Sequence, residues 1–371
     1  IMMATHVDDT LVSGRIGEIE KFYSGFEKHL KIDCLGQVRK HLGVWWTFHV
    51  DPYGDLYLKS DMEDMRKEII HKFEATTGKP VGSYQTPAAA GQQLTKNNGE
   101  PIKRTEYQSI LGQLLYYTTK IAPPMSNAVR ELSSHMSNPS EEHWRAMERT
   151  VGYLKGHGKY EFTIRAPEQL RGIHIRDANY ATCEETRRSI SGGVETLGGT
   201  IIGFSSKKHN VVSLSSAEAE LISYVEGCQS ARFTQQFLSE IIGHEPTAII
   251  MEDNLGCIYL VKNQKTSSRT KHLAVRHLFG RDLYIQNKVI PTFVRSEENI
   301  SDGLTKNQPA QLFVEHENVL LNGILPYRRE DVEEALRTER NNTERRPDAY
   351  SVRTYSGQTD TDMCGRMESP D

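Results

Sequence analysis

Asp177, Glu220, Asp253 and Asp302 stand in four separate blocks of the chain, each reading as the end of a strand or the first turns of a helix. Carboxylates gathered from distant blocks suit a centre for two divalent ions. Hard ions such as magnesium take carboxylate oxygens. Two of them activate a water and stabilise a leaving oxygen in phosphodiester hydrolysis. Crowded carboxylates raise one another's pKa unless an ion compensates. Asp177 continues the alternation Ile173, Ile175 and so prolongs an otherwise apolar strand face. Glu220 falls in the first turns of a helix predicted over 214–242. Asp253 closes the apolar run Thr247-Ala248-Ile249-Ile250-Met251. Asp302 follows Ser301, where a helix is predicted to start and a carboxylate would favour the dipole. Ser215 and Glu218 have capping-box spacing, so Glu218 is assigned a structural role. Each acid, taken singly, is also explained as a cap, a turn or a surface charge.

The surrounding pattern supplies the elements. A chain of 371 residues has room for two or three domains. In residues 1–75, Ile16, Ile19, Phe22, Phe26 and Leu30 recur at helical spacing, and a hairpin turns at Asp51-Pro52-Tyr53-Gly54. Ile1-Met2-Met3-Ala4 has no basic lead and reads as the end of a buried strand whose preceding sequence is missing. Residues 76–106 read as an extended connector. Residues 107–167 are helical: Ile110, Leu111, Leu114, Leu115 and Thr118 form a stripe, Pro123-Pro124 breaks it, and Val129, Leu132 and Met136 resume it. Trp45, Trp46 and Trp144 are expected in the core. From 168 to 326 the order is three strands with a Gly198-Gly199 hairpin, a long helix, a strand, a helical pair, a strand and a helix. Residues 327–371 are charged and predicted disordered unless a protein partner orders them, with a short helix over 330–341 supported by Glu333 and Arg337.

Net charge is −4, with Lys+Arg 45 against Asp+Glu 49, so nucleic-acid binding would need a local basic patch. Arg187, Arg188, Lys207, Lys208, Arg269 and Lys271, at loops and element ends, are candidates for phosphate contacts. His272 and His277 lack partners at metal-ligand spacing and are assigned surface or structural roles. The 5 cysteines are scattered and odd in number, which points to a reducing, intracellular compartment. No apolar run reaches membrane-spanning length.

Six ordered strings carry a resemblance. They are Arg176-Asp177-Ala178-Asn179-Tyr180-Ala181 with Glu185-Thr186-Arg187-Arg188-Ser189; Gly203-Phe204-Ser205-Ser206-Lys207-Lys208; Ser213-Leu214-Ser215-Ser216-Ala217-Glu218-Ala219-Glu220; Glu252-Asp253-Asn254; Ser268-Arg269-Thr270-Lys271-His272; and Ser301-Asp302-Gly303-Leu304-Thr305-Lys306. Together they resemble the ribonuclease H domain of Ty1/copia-type retrotransposon Pol polyproteins. His6-Val7-Asp8-Asp9, Ser109-Ile110-Leu111-Gly112-Gln113-Leu114-Leu115-Tyr116 and Tyr153-Leu154-Lys155-Gly156 resemble the end of the same polyprotein's reverse transcriptase.

The resemblance implies a ribonuclease H-like α/β fold, a mixed five-stranded sheet with helices. It would be preceded by an α+β partial palm, thumb and connection region. It implies that Asp177, Glu220, Asp253 and Asp302 hold two Mg2+ or Mn2+ ions and cut the RNA strand of an RNA–DNA hybrid. Asp8 and Asp9 would be a vestigial polymerase pair. The third polymerase aspartate would precede residue 1, so no polymerase activity is expected from this chain alone. Asn179, Tyr180 and Glu252 depart from the usual pattern, and Arg295 and Ser296 stand where some ribonucleases H carry an acid–base histidine. The alternative reading is a catalytically inactive retrotransposon-derived fragment serving as a structural or interaction subunit of a larger assembly.

Overall fold

The computed structural model describes residues 1–167, 169–183, 185–263, 274–323, 325, 333–334 and 336–338. Strands β1 (Met2–His6) and β2 (Asp9–Ser13) form an antiparallel hairpin in which His6 faces Asp9. Val7 takes the tight turn at a φ of +55°. Helix α1 (Ile16–Phe26) follows. No residue of β1, β2 or α1 is buried. The expected buried strand at Met2-Met3 is therefore corrected to an exposed one. A lone hairpin cannot bury a face without a second layer, and Ile16 and Leu30 of the predicted stripe are exposed as well.

Strands β3 (Lys40–His41), β4 (Val44–Val50), β5 (Leu56–Asp61) and β6 (Glu161–Arg165) make an antiparallel sheet in that order. Asp51 Oδ1 closes the β4–β5 turn by accepting the amides of Tyr53 and Asp55 at 2.9 and 3.0 Å. Trp45 is 38% exposed, against expectation, and Phe48 and Val50 on the other face of β4 are exposed as well, so neither face of this strand is fully covered. Trp144 is buried, and Trp46 is half-buried.

Helices α2 (Glu63–Thr77), α3 (Arg104–Ile121), α4 (Ser126–Ser133) and α5 (Glu141–His157) form the adjoining layer. Tyr107, Ile110, Leu111, Leu114, Tyr117 and Ile121 bury one stripe of α3. Pro123-Pro124 opens a single 3₁₀ turn before α4. Ser140 and His143 cap α5 reciprocally, His143 Nδ1 accepting the Ser140 amide at 2.8 Å. Met136 does not continue the stripe: α4 stops at Ser133 and Met136 is 40% exposed. Residues 78–103 run without helix or strand, pinned by buried Val81 and Thr86.

The second sheet has the order β11 (Val289–Phe293), β10 (Ala248–Glu252), β7 (Gly172–Asn179), β8 (Ile190–Leu197), β9 (Thr200–Lys208). β7, β8 and β9 are antiparallel neighbours, while β10 runs parallel to both β7 and β11. This is the mixed five-stranded sheet of a ribonuclease H-like fold. The β8–β9 hairpin turns on Gly198 and Gly199, both at positive φ. Helix α6 (Ser216–Ile242) crosses the sheet. Its Leu221, Tyr224, Cys228 and Ala231 pack on Ile250 of β10, and on Cys257 and Val261 of α7 (Leu255–Lys262). Tyr284 of α8 (Ala274–Ile285) closes this core. Burying each large apolar side chain contributes about 1.5–3 kcal/mol.

The helix expected at Ser301 is corrected to one 3₁₀ turn, Asp302–Leu304; α9 starts only at Ala310, behind Pro309. Local side chains take the backbone partners a longer helix would use. Asn299 Oδ1 accepts from the Ser301 amide and hydroxyl at 3.2 and 2.5 Å. Among the described residues no helix is long and apolar enough to cross a membrane. Arg337 and Glu333 form the expected ion pair at 3.4 Å.

Candidate metal centre

Strand alternation sends Arg176 and Asp177 to opposite faces of β7. Arg176 reaches Glu195 at 2.6 Å and Ser230 of α6 at 3.2 Å. Asp177 is paired across the ladder with Gly192 of β8 and lies on the face covered by the 301–305 turn. The absence of a side chain at Gly192 permits that cover. A Cβ there would stand 2.6 Å from Thr305 Cγ2 and 2.7 Å from the Ser301 carbonyl. Gly192→Ala should therefore push the turn away and lower stability by about 1–3 kcal/mol, the usual cost of forcing extra volume into a packed site. Urea unfolding equal to the parent's would show that the turn yields freely.

Glu220 sits in the second turn of α6, whose start is held by Ser215. The Ser215 hydroxyl accepts the Glu218 amide at 3.2 Å, and Glu218 accepts the Leu214 amide at 2.6 Å. Glu218 is thus a cap. Asp253 occupies the corner between β10 and α7, which Asn254 caps by accepting the Cys257 amide at 3.0 Å. These elements bring ligand atoms of Asp177, Glu220 and Asp253 within 4.8 Å of one another. Asp302 is buried nearby, and its charge raises the Asp177 pKa. Its own oxygens are engaged: Lys306 Nζ pairs with Oδ1 at 2.5 Å and Gln308 Nε2 donates to Oδ2 at 3.2 Å. The Thr305 hydroxyl donates to Asp177 Oδ2.

Thr305, Lys306 and Gln308 escaped sequence reading as site residues. Only the i, i+3 and i, i+4 spacing of Thr305 and Lys306 from Asp302 hints at their roles. Glu252, one of the departures from the usual pattern, is fully buried beside Glu220, and its Oε2 has no hydrogen-bond partner among the described residues.

The electrostatics favour cations. Burial, then the Asp302 charge, pushes the Asp177 carboxyl up to about 7. Burial, then the neighbouring Glu252, pushes Glu220 up to about 11. Glu220 Oε2 is buried without a donor. An all-oxygen set in which Asp177 and Glu220 resist ionisation alone fits hard divalent ions.

The sign of the linkage follows. Asp177 titrates at 3.8 in its ordinary state and about 7 when folded, so the folded chain binds more protons between those values. Its contribution is present at low pH and is lost as pH rises toward 7. Without metal, thermal stability should fall between pH 4 and pH 7. Added Mg2+ should raise the melting temperature more at pH 8 than at pH 5. A melting series with and without chelator checks this; a Mg2+ effect larger at pH 5 would contradict it.

Arg187, at a φ of +53°, and Lys207 are exposed, whereas Arg188 and Lys208 are half-buried. Arg269, Lys271 and His272, and the side chain of His277, lie outside the described residues. Asp8 and Asp9 sit at the tip of the β1–β2 hairpin and belong to no group of three potential ligands among the described residues.

No protein-family model matches the chain. It is 28% identical over 322 residues to the retrovirus-related Pol polyprotein from transposon TNT 1-94 of Nicotiana tabacum, covering 84% of this chain and 24% of that one. It is 30% identical over 229 residues to the putative transposon Ty5-1 protein YCL074W of Saccharomyces cerevisiae, covering 61% of this chain and 72% of that one. The solved structure of LC11-RNase H1, isolated from compost, aligns with 37% of this chain and 94% of its own at 13% identity and a TM-score of 0.30. The chain spans about a quarter or less of the length of the full Pol polyproteins it matches, 24%, 21% and 20% of three of them. On this sequence relationship, the chain belongs to the Pol polyprotein family of Ty1/copia-type retrotransposons.

Proposed function

We propose that this chain hydrolyses the RNA strand of RNA–DNA hybrids, using two Mg2+ or Mn2+ ions held by Asp177, Glu220, Asp253 and Asp302. The observation carrying this reading is the convergence of Asp177, Glu220 and Asp253 within 4.8 Å, with Asp302 buried next to Asp177. When bound, such ions activate a water and stabilise the 3′-oxygen leaving group.

The chain's own residues do the positioning. The Thr305 hydroxyl fixes one oxygen of Asp177, and with it the orientation of the carboxylate beside Glu220 and Asp253. The Ala178 amide holds Glu220 by a backbone hydrogen bond. Lys306 and Gln308 orient Asp302. Arg187, Arg188, Lys207 and Lys208 supply charge for the phosphate backbone, which positions a duplex without reading its bases. A hybrid is distinguished by its groove shape and 2′-hydroxyls.

The ion pair between Lys306 and Asp302 favours the rival reading, an inactive structural subunit, since it occupies the fourth carboxylate. The test is cleavage of an end-labelled hybrid by the purified chain with Mg2+, with Mn2+ and with chelator, beside RNA and DNA duplexes. Metal-dependent cutting of the hybrid's RNA strand is expected. A folded chain that cuts nothing would select the structural reading.

A further inference from the structure

A cavity of about 330 Å³ opens beside the carboxylates and shares Asn179, Thr305 and Lys306 with their surroundings. Its walls come from residues 91–96, from α4, from the β7–β8 loop and from residues 305–307. Lys96, Arg130, Lys208 and Lys306 line it, against Glu131 and Glu185. We infer that this cleft seats the sugar–phosphate backbone of the hybrid next to the scissile bond, so that helix α4 of the amino-terminal layer is part of the nuclease's substrate site. The inference rests on the hydrolytic reading above and extends it to a second layer of the fold.

The charges of the cleft are unequally committed. Glu131 is spent internally: one oxygen accepts the Leu94 amide at 2.7 Å and the other the Asn307 side chain at 3.1 Å. Glu185 pairs with Lys96 at 2.6 Å, but these side chains are 55% and 63% exposed. A pair so exposed is worth little, and a phosphate can take the carboxylate's place. Arg130 donates one N–H to Asn127 at 2.8 Å, while its Nε is buried without a hydrogen-bond partner among the described residues. Lys208 Nζ lies 3.4 Å from Cys183 Sγ, at the same mouth.

The wall facing α4 is held in a costly conformation. Ala181 and Arg187 of the β7–β8 loop adopt φ of +51° and +53°, a region that costs non-glycine residues about 1–3 kcal/mol each. The Ala181 amide donates to Ser189 Oγ at 3.0 Å and the Arg187 amide to the Cys183 carbonyl at 2.7 Å, which keeps the loop in place. A wall so held loses little entropy on binding. Among the described residues no Phe, Tyr or Trp lines the cleft, and the one aromatic ring that does, His135, is already stacked on His143. The cleft is therefore no platform for stacked bases, and its donors match phosphate and sugar oxygens.

The test is the dissociation constant of a fluorescein-labelled RNA–DNA hybrid for the full chain, by anisotropy across a salt series with Ca2+ replacing Mg2+. Lys96→Glu combined with Lys208→Glu should weaken binding at least tenfold, and lower the slope of log Kd against log salt by about two, one per lost phosphate contact. Glu185→Gln, which releases Lys96, should tighten binding two- to fivefold, a gain that misfolding cannot produce. Binding within twofold of the parent in both variants, or no hybrid binding by the parent, overturns the inference. Cleavage is scored separately. Asp253-dependent cleavage with unchanged binding in these variants would sink the cleft and spare the hydrolytic reading. Cleft-dependent binding without any cleavage would do the reverse.

Discussion

Asp253→Asn should lower cleavage of the hybrid on the order of 10³-fold while leaving the fold intact. Asp253 joins Asp177 and Glu220 within 4.8 Å. Asparagine keeps the shape but offers a neutral oxygen. Losing several kcal/mol of metal-borne charge stabilisation, at 1.36 kcal/mol per tenfold, gives that magnitude. The same change relieves repulsion, because the Asp253 charge raises the carboxyls of Glu252, Asp177 and Glu220. The metal-free variant should therefore melt no lower than the parent, and Mg2+ should raise its melting temperature less. Single-turnover cleavage and paired melting curves measure both. Parent-like cleavage by the variant would remove Asp253 from the site.

Glu195→Ala should cost about 3–5 kcal/mol of stability, because it strands a buried guanidinium. Arg176 is 1% exposed, and its partner Glu195 lies at 2.6 Å. Two glycines make the room it needs. A Cβ at Gly193 would lie 2.1 Å from Arg176 Nη1, and one at Gly227 would lie 2.9 Å from Nε. The loss should also reach the site, since Arg176 precedes Asp177 and its carbonyl accepts the Asn299 side chain at 2.9 Å beside the 301–305 turn. The apolar pair Arg176→Met with Glu195→Leu should recover most of the stability, since no charge is then left buried alone. Urea unfolding of the parent and the two variants measures this; a loss under about 1 kcal/mol for Glu195→Ala would show that water reaches Arg176.

The Arg176–Glu195 pair shows where sequence reading stops. Period-two alternation identifies β7 and tells that Arg176 and Asp177 face opposite ways. It does not tell that both faces are closed, because α6 covers Arg176 and the 301–305 turn covers Asp177, and both arrive from far along the chain. Gly192 and Gly193 look like ordinary strand glycines until the backbone of residue 301 and the guanidinium of Arg176 are placed against them.

What the sequence by itself determined is local or inherited. Strand alternation, the Gly198-Gly199 hairpin, the Ser215 cap and the Pro123-Pro124 break each follow from a few neighbouring residues, and the ordered strings mark the family. Tertiary structure decided the rest. It left Met2, Met3 and Trp45 exposed, since apolar residues are buried only where another layer reaches them. It replaced the helix at Ser301 by one turn whose Lys306 clasps Asp302. It put α4 across from the β7–β8 loop to form a charged cleft. Apart from the local Lys306–Asp302 clasp, the deciding contacts join segments whose separation in the chain carries no periodic signal. Only the fit of packed surfaces, and the need to pair buried charge, selects them.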